Sequence, residues 1–239
     1  METFFPIARA AQLSAAEVRA HLRRCFERWG LPKALRVDNG DPWATRSDIP
    51  SALALWLTGL GVRVILNRPR QSTDNGVVER DHGVLAGWVE PHKAQTLTQF
   101  QSQLDWAITV QRERYPIRAG RSRHQVYPEL NQNPRRYTEA QEPRLWQLAR
   151  VDAFLSPLVW TRRVDKVGRI SIFSRAYSVG RAFTGRAVQV RFDPQPREWV
   201  IQSEQGQVLK RFPAQEITPP RILNLDIAKR ANSVSPHSS

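Results

Sequence analysis

Two carboxylates stand out by type and position. Asp38 ends the short apolar run ALRV, inside RVDNG, and Glu79 falls in the first turn of a helical stretch, inside STDNGVVERDHG. A carboxylate at a strand end and another at a helix start, with a helix–strand unit between them, can converge on one spot. Such a convergence suits phosphoryl transfer by two Mg²⁺ ions roughly 3.5–4 Å apart that share carboxylate bridges. Mg²⁺ takes hard oxygen ligands and leaves positions for water and phosphate oxygens. Taken singly, each motif has a plainer explanation. Asp-Asn-Gly is a common turn, and the helix dipole favours a Glu in any first turn. The ordered pair, with a Pro/Gln/Ser/Asp-rich loop at 67–75 ahead of Glu79, is the more specific signal.

The elements that must position this pair can be read from periodicity. The run at 3–8 reads as a strand interrupted by Pro6. Ser14-x-x-Glu17 is a capping box opening a helix on Val18, Leu22, Cys25/Phe26 and Trp29, which Gly30-Leu31-Pro32 ends. ALRV is a strand, and Pro50 is expected at the first position of a helix carrying Leu53, Trp56/Leu57 and Leu60. VRVIL is a strand. Helices are expected over 77–88, 98–112 and 142–155. From Pro157 the texture changes to six short alternating runs separated by turns, the pattern of a small all-β barrel.

The stretch FERWGLPKALRVDNGDPW…LGVRVILNRPRQSTDNGVVERDHGVL resembles DDE-type transposases and integrases with a retroviral-integrase-like catalytic core. The resemblance implies an α/β fold: a partial RNase H-like core followed by a small SH3-like β-barrel. It matches Asp38 to the family's second catalytic Asp and Glu79 to its Glu, both metal ligands for Mg²⁺ or Mn²⁺. Asn75 and Gly76 match the turn before the Glu helix, and Arg80 a position facing DNA or the site. The spacing between Asp38 and Glu79 is a few residues longer than the family's, which DPWATRSDIPS accommodates as a loop extension. The first catalytic Asp of the family falls before Met1 on this alignment, and no Asp precedes Asp38 in the sequence. An N-terminally truncated member is therefore expected, with no strand transfer by this chain alone. The alternative is a non-catalytic DNA-binding remnant or regulator of a full-length transposase. A third reading, an RNase H-like nuclease using Asp41 or Asp74, puts its extra carboxylate on a loop.

Charge points the same way. The net charge is +14, with residues 1–110 nearly balanced and the excess concentrated in 111–239. A basic half suggests a polyanionic partner, most simply DNA. The candidate phosphate contacts are Arg118, Arg121 and Arg123 in the linker and Arg162, Arg163 and Lys166 in the barrel. His82, one turn from Glu79, is read either as a surface histidine or as positioning metal-bound water, and Trp43 as a base-stacking candidate. The domains expected are a core at 1–110, a basic helical linker at 111–156, a barrel at 157–220 and a flexible tail at 221–239. The single cysteine, Cys25, excludes an internal disulfide framework. With no signal peptide and no apolar run of membrane-spanning length, an intracellular, cytoplasmic, DNA-associated protein is expected, with no membrane partner. Multimers with itself or a full-length transposase are implied by the resemblance.

Overall fold

A computed structural model describes residues 13–43, 49–67, 76–131 and 135–227. The run at 3–8 and Asn75 lie outside these residues. In chain order the elements are α1 (Ala15–Trp29), β1 (Ala34–Val37), α2 (Ala52–Gly59), β2 (Arg63–Leu66), α3 (Gly76–Ala86), α4 (Leu97–Glu113), β3 (Pro116–Arg118), β4 (Arg121–Ser122), α5 (Arg123–Val126), α6 (Glu142–Leu145) and α7 (Leu148–Leu155). Then follow β5 (Val159–Arg163), β6 (Arg169–Ile172), β7 (Arg175–Ser178), β8 (Ala187–Asp193), β9 (Glu198–Gln202), β10 (Val208–Pro213) and α8 (Pro219–Leu223). The fold is mixed α/β. It divides into two compact units, one of residues 13–39 and 65–141, the other of 40–64 and 142–227.

In the first unit, the Ser14 side chain caps α1 and Glu17 reaches back to the cap, as the sequence pattern expects. Val18, Leu22 and Phe26 form its buried stripe. Gly30, at φ 77°, takes a backbone shape that a Cβ disfavours, and α1 stops there. Phe26 meets the buried Tyr137 edge-on at 5.7 Å. Helices α3 and α4 share a cluster of Leu85, Val89, Leu104 and Ala107, flanked by Trp88 and Phe100. Both helices fall within two residues of their expected bounds.

The second unit is built on α2 and the six C-terminal strands. Helix α2 starts after Ser51, whose hydroxyl accepts the Ala54 N–H, so Pro50 precedes the cap instead of opening the helix. Leu53, Leu55, Trp56 and Leu57 are all fully buried, so α2 is apolar on every side. The helix expected over 142–155 is two helices, α6 and α7. The break at Trp146–Gln147 has a tertiary cause. The Trp146 indole donates to the Trp56 carbonyl at 3.2 Å, and the Gln147 N–H donates to the Gly59 carbonyl at 3.0 Å. The Trp146 N–H keeps its helical bond to the Glu142 carbonyl, and it is the Gln147 N–H that gives up a helical partner for α2.

All six expected strands form. Four make one antiparallel sheet in the order β10–β9–β8–β5, and β6 pairs with β7. The register sets Trp160 against Val190 and Phe192 against Trp199, which puts the buried side chains on one face. Trp199 is fully buried and touches the rings of Trp160, Phe173 and Phe192. The strand order does not close, because β5 pairs only with β8 and β6 and β7 pair only with each other among the described residues.

Beneath the sheet lies a buried carboxylate. Glu216, 1% exposed, accepts the Tyr177 hydroxyl at 2.6 Å and the Trp199 indole N–H at 3.1 Å. Burial first, and then the Glu216 carboxylate, push the Tyr177 phenol well above its ordinary pKa.

The domain limits read from the sequence differ from these units. Residues 111–141 pack with α1, α3 and α4, and residues 142–156 with the strands. The tail expected to be flexible from 221 is packed as far as Ile227, since Ile222 is fully buried and Ile227 is 2% exposed.

Candidate functional site

Asp38 follows β1 directly and is exposed. Its place is fixed by a clasp between strand ends. The Asn67 N–H donates to the Val37 carbonyl at 3.0 Å, and the Asn39 side-chain amide donates to the Asn67 carbonyl at 2.8 Å. Asn39 therefore does more than shape a turn, and Asn67, 7% exposed, was not singled out by sequence. The only sequence signal for this pair is that each Asn lies within two residues of a strand end.

Glu79 lies in the first turn of α3, exposed, as does its neighbour Arg80. Asp38 and Glu79 belong to the same compact unit. The segment 68–75, which joins Asn67 to α3, lies outside the described residues, Asn75 with it. His82 is exposed on α3. Trp43 lies in the other unit, half-buried.

Asp81, between Arg80 and His82, is the unexpected member. It is 8% exposed and pairs with Arg123 at 2.9 Å. Arg123, a candidate phosphate contact by sequence, thus has its guanidinium engaged inside the unit. Arg118 and Arg121 keep the expected exposure. They lie directly opposite each other across the β3–β4 hairpin, and like charges in that register repel unless an anion approaches.

The three strand-region candidates separate in the same way. Arg162 alternates to the inner side of β5, is half-buried, and donates to the Thr161 carbonyl at 2.7 Å. Arg163 is exposed, and Lys166 is exposed in the turn that Asp165 organises by accepting the Val167 and Arg169 N–H groups at 2.9 and 2.8 Å. Arg191, not singled out by the sequence beyond being one barrel cation among several, is exposed on β8 opposite Val159 and Val200. Other cations are neutralised locally: Arg211 by Asp193 and Glu198, and Arg197 by Asp152.

The first unit also contains a cavity of about 620 Å³ at the ends of α1 and α4. The guanidinium groups of Arg28 and Arg112 stand over the Trp29 ring at 4.7 and 5.3 Å. Burial, and then the charge of Arg28, lower the Arg112 pKa. Arg28 is answered by Asp105 at 2.9 Å, Glu27 and Glu113 also line the cavity, and both helices direct their partly negative C-terminal ends there. Arg136 lines it too, so charges of both signs face the cavity and point to no one class of ligand.

Among the described residues, no group of three or more His, Cys, Asp or Glu side chains is gathered to hold a metal ion. No described helix is long and apolar enough to cross a membrane. No protein-family model matches the chain.

Proposed function

We propose that this chain is a DNA-binding protein of the integrase-core transposase kind, with Asp38 and Glu79 as two of the acidic groups of a strand-transfer site. The observation that carries this reading is the placement of an exposed Asp at a clasped strand end and an exposed Glu in the first turn of a helix of the same unit. The finer fold belongs to the same proposal: the first unit as a partial RNase H-like core, and β5–β10 as an SH3-like module.

The donor chemistry of the pair suits Mg²⁺ or Mn²⁺, since both are carboxylates, hard oxygen donors, on exposed residues. Asp38 and Glu79 would hold the metal, which when bound would stabilise charge at a phosphate and acidify a water or 3′-hydroxyl. The Asn39–Asn67 clasp orients the Asp38 backbone and keeps the ends of β1 and β2 together.

Among the described residues, the exposed cations that show no carboxylate partner include Arg118, Arg121, Arg163, Lys166, Arg186 and Arg191, and Arg80 beside Glu79. Six phosphate contacts give a slope of log affinity against log salt of about −5. Fluorescence anisotropy on a labelled duplex between 50 and 200 mM salt measures it. Replacing Arg163 and Arg191 by Ala is expected to weaken binding and make the slope shallower by about two. A flat salt response in the unsubstituted chain would remove DNA as the partner. A joining assay with Mg²⁺ or Mn²⁺ separates strand transfer from DNA binding without joining: product supports the first and its absence the second.

A further inference from the structure

We infer that Arg123 is a positioning residue for Glu79, acting through Asp81, and is not a contact to DNA. The inference rests on Glu79 being part of the proposed site. Successive helical residues turn by about 100°, so Glu79 and Asp81 point roughly 200° apart on α3. Whatever holds Asp81 inward therefore turns Glu79 outward. Of the α3 side chains described, Asp81 and Leu85 are the buried ones, one turn apart on one face. Leu85 anchors the second half of the helix in the apolar cluster with Leu104 and Ala107. Among the described side chains, the first half, which carries Glu79, is held by the Asp81–Arg123 pair. Intrinsic helix strength helps little there, because Gly76 and Gly83 both lie in α3, and a Cβ at either would touch nothing within 4 Å.

The other end of the pair is rigid. Arg123 is the first residue of α5, and the preceding Ser122, 3% exposed, forms a capping box with Gln125. The Arg123 side chain is only 22% exposed and that of Asp81 11%. A planar guanidinium held by a carboxylate in such surroundings fixes direction as well as distance. A phosphate contact would need that group released into solvent, leaving Asp81 buried without its counter-charge.

The test uses the full chain with Arg123→Ala, Arg123→Lys and Asp81→Asn. Three readouts are compared: amide hydrogen exchange over 76–86, Mn²⁺ affinity by titration calorimetry, and the salt slope of duplex binding. In Arg123→Ala, exchange over 79–84 is expected to rise at least tenfold while the β8 and β9 amides stay unchanged. Mn²⁺ affinity should fall about tenfold, and the salt slope should stay within half a unit of the wild-type value. Arg123→Lys, which keeps the charge and folds more surely, should recover part of both losses, and Asp81→Asn should behave as Arg123→Ala does. Unchanged exchange over 79–84 with a slope shallower by about one would overturn the inference and restore Arg123 as a phosphate contact. Failure of the wild-type chain to bind Mn²⁺ would instead overturn the reading of Glu79, and the positioning role with it, even if Arg123→Ala loosens α3.

Discussion

Replacing Glu216 by Ala is expected to destabilise the C-terminal unit by about 3 kcal/mol, because a buried donor deprived of its acceptor costs about 1–3 kcal/mol and two donors are affected. The carboxylate is 1% exposed, and it receives the Tyr177 hydroxyl and the Trp199 indole N–H at the centre of the aromatic cluster. Arg175 reaches it at 3.8 Å but is itself partly exposed, and adds less. For a unit of this size the thermal midpoint should fall on the order of 15 °C, read by calorimetry or circular dichroism. Glu216→Gln keeps the shape and loses one acceptor oxygen, so it should give an intermediate loss. A midpoint within 2 °C of wild type for Glu216→Ala would show that the network contributes nothing.

The same network has a pH signature. The Tyr177 phenol is raised by burial and by Glu216, so in the unfolded chain it ionises near its ordinary value of about 10 and in the folded chain only at higher pH. The unfolded state therefore loses the proton first. The contribution of Tyr177 is fully present below about pH 10 and is lost as pH rises from there towards the folded value. Melting of the wild-type chain above pH 10 should fall more steeply than that of Tyr177→Phe. Parallel curves would contradict the assignment.

Gly59→Ala is the second large effect, and its cause is space, not backbone conformation. A Cβ at Gly59 would lie 2.0 Å from the Trp146 Nε1 and 2.2 Å from its Cε2. The indole cannot retreat cheaply, because its N–H is bonded to the Trp56 carbonyl. Nor can Gly59, whose carbonyl accepts the Gln147 N–H at 3.0 Å and the Arg150 guanidinium at 2.9 Å. Ala normally gains about 1 kcal/mol over Gly in a helix. Here the overlap outweighs that gain, and a net loss of about 2–3 kcal/mol is expected. Gly83→Ala on the open side of α3 provides the opposite sign, a gain of about 0.5–1 kcal/mol. Urea denaturation of the two variants, followed by far-ultraviolet circular dichroism, measures both. Equal midpoints would mean that Trp146 yields.

These two sites show what the sequence could and could not disclose. The capping box at Ser14 and Glu17 and the six alternating strands were legible, because local spacing alone determines caps and pleat. The break at Trp146 was not, because an apolar residue at helical spacing says nothing of the carbonyl its indole will seek across 90 residues. Arg118, Arg121, Arg163 and Lys166 are as exposed as a basic run implies, whereas Arg123 and Arg162 are turned inward by a partner or a strand face that composition does not reveal. Asp38 and Glu79 were legible as a strand end and a helix start. Asn67 and Asp81, which hold those places, carry no motif of their own.

The membership of α2 in the C-terminal unit has a consequence for biosynthesis. Trp56 and its buried partner Glu142 are 86 residues apart, the indole donating to the carboxylate at 3.0 Å. At about 5–20 residues per second, the ribosome takes roughly 4–17 s to deliver the second after the first. Throughout that interval Leu53, Leu55, Trp56 and Leu57, an all-round greasy turn-and-a-half, lack the cover of α7 and α8 against which α2 packs. The order of synthesis also means that a nick between residues 141 and 142 would not free the C-terminal unit, because 40–64 would remain stitched into it.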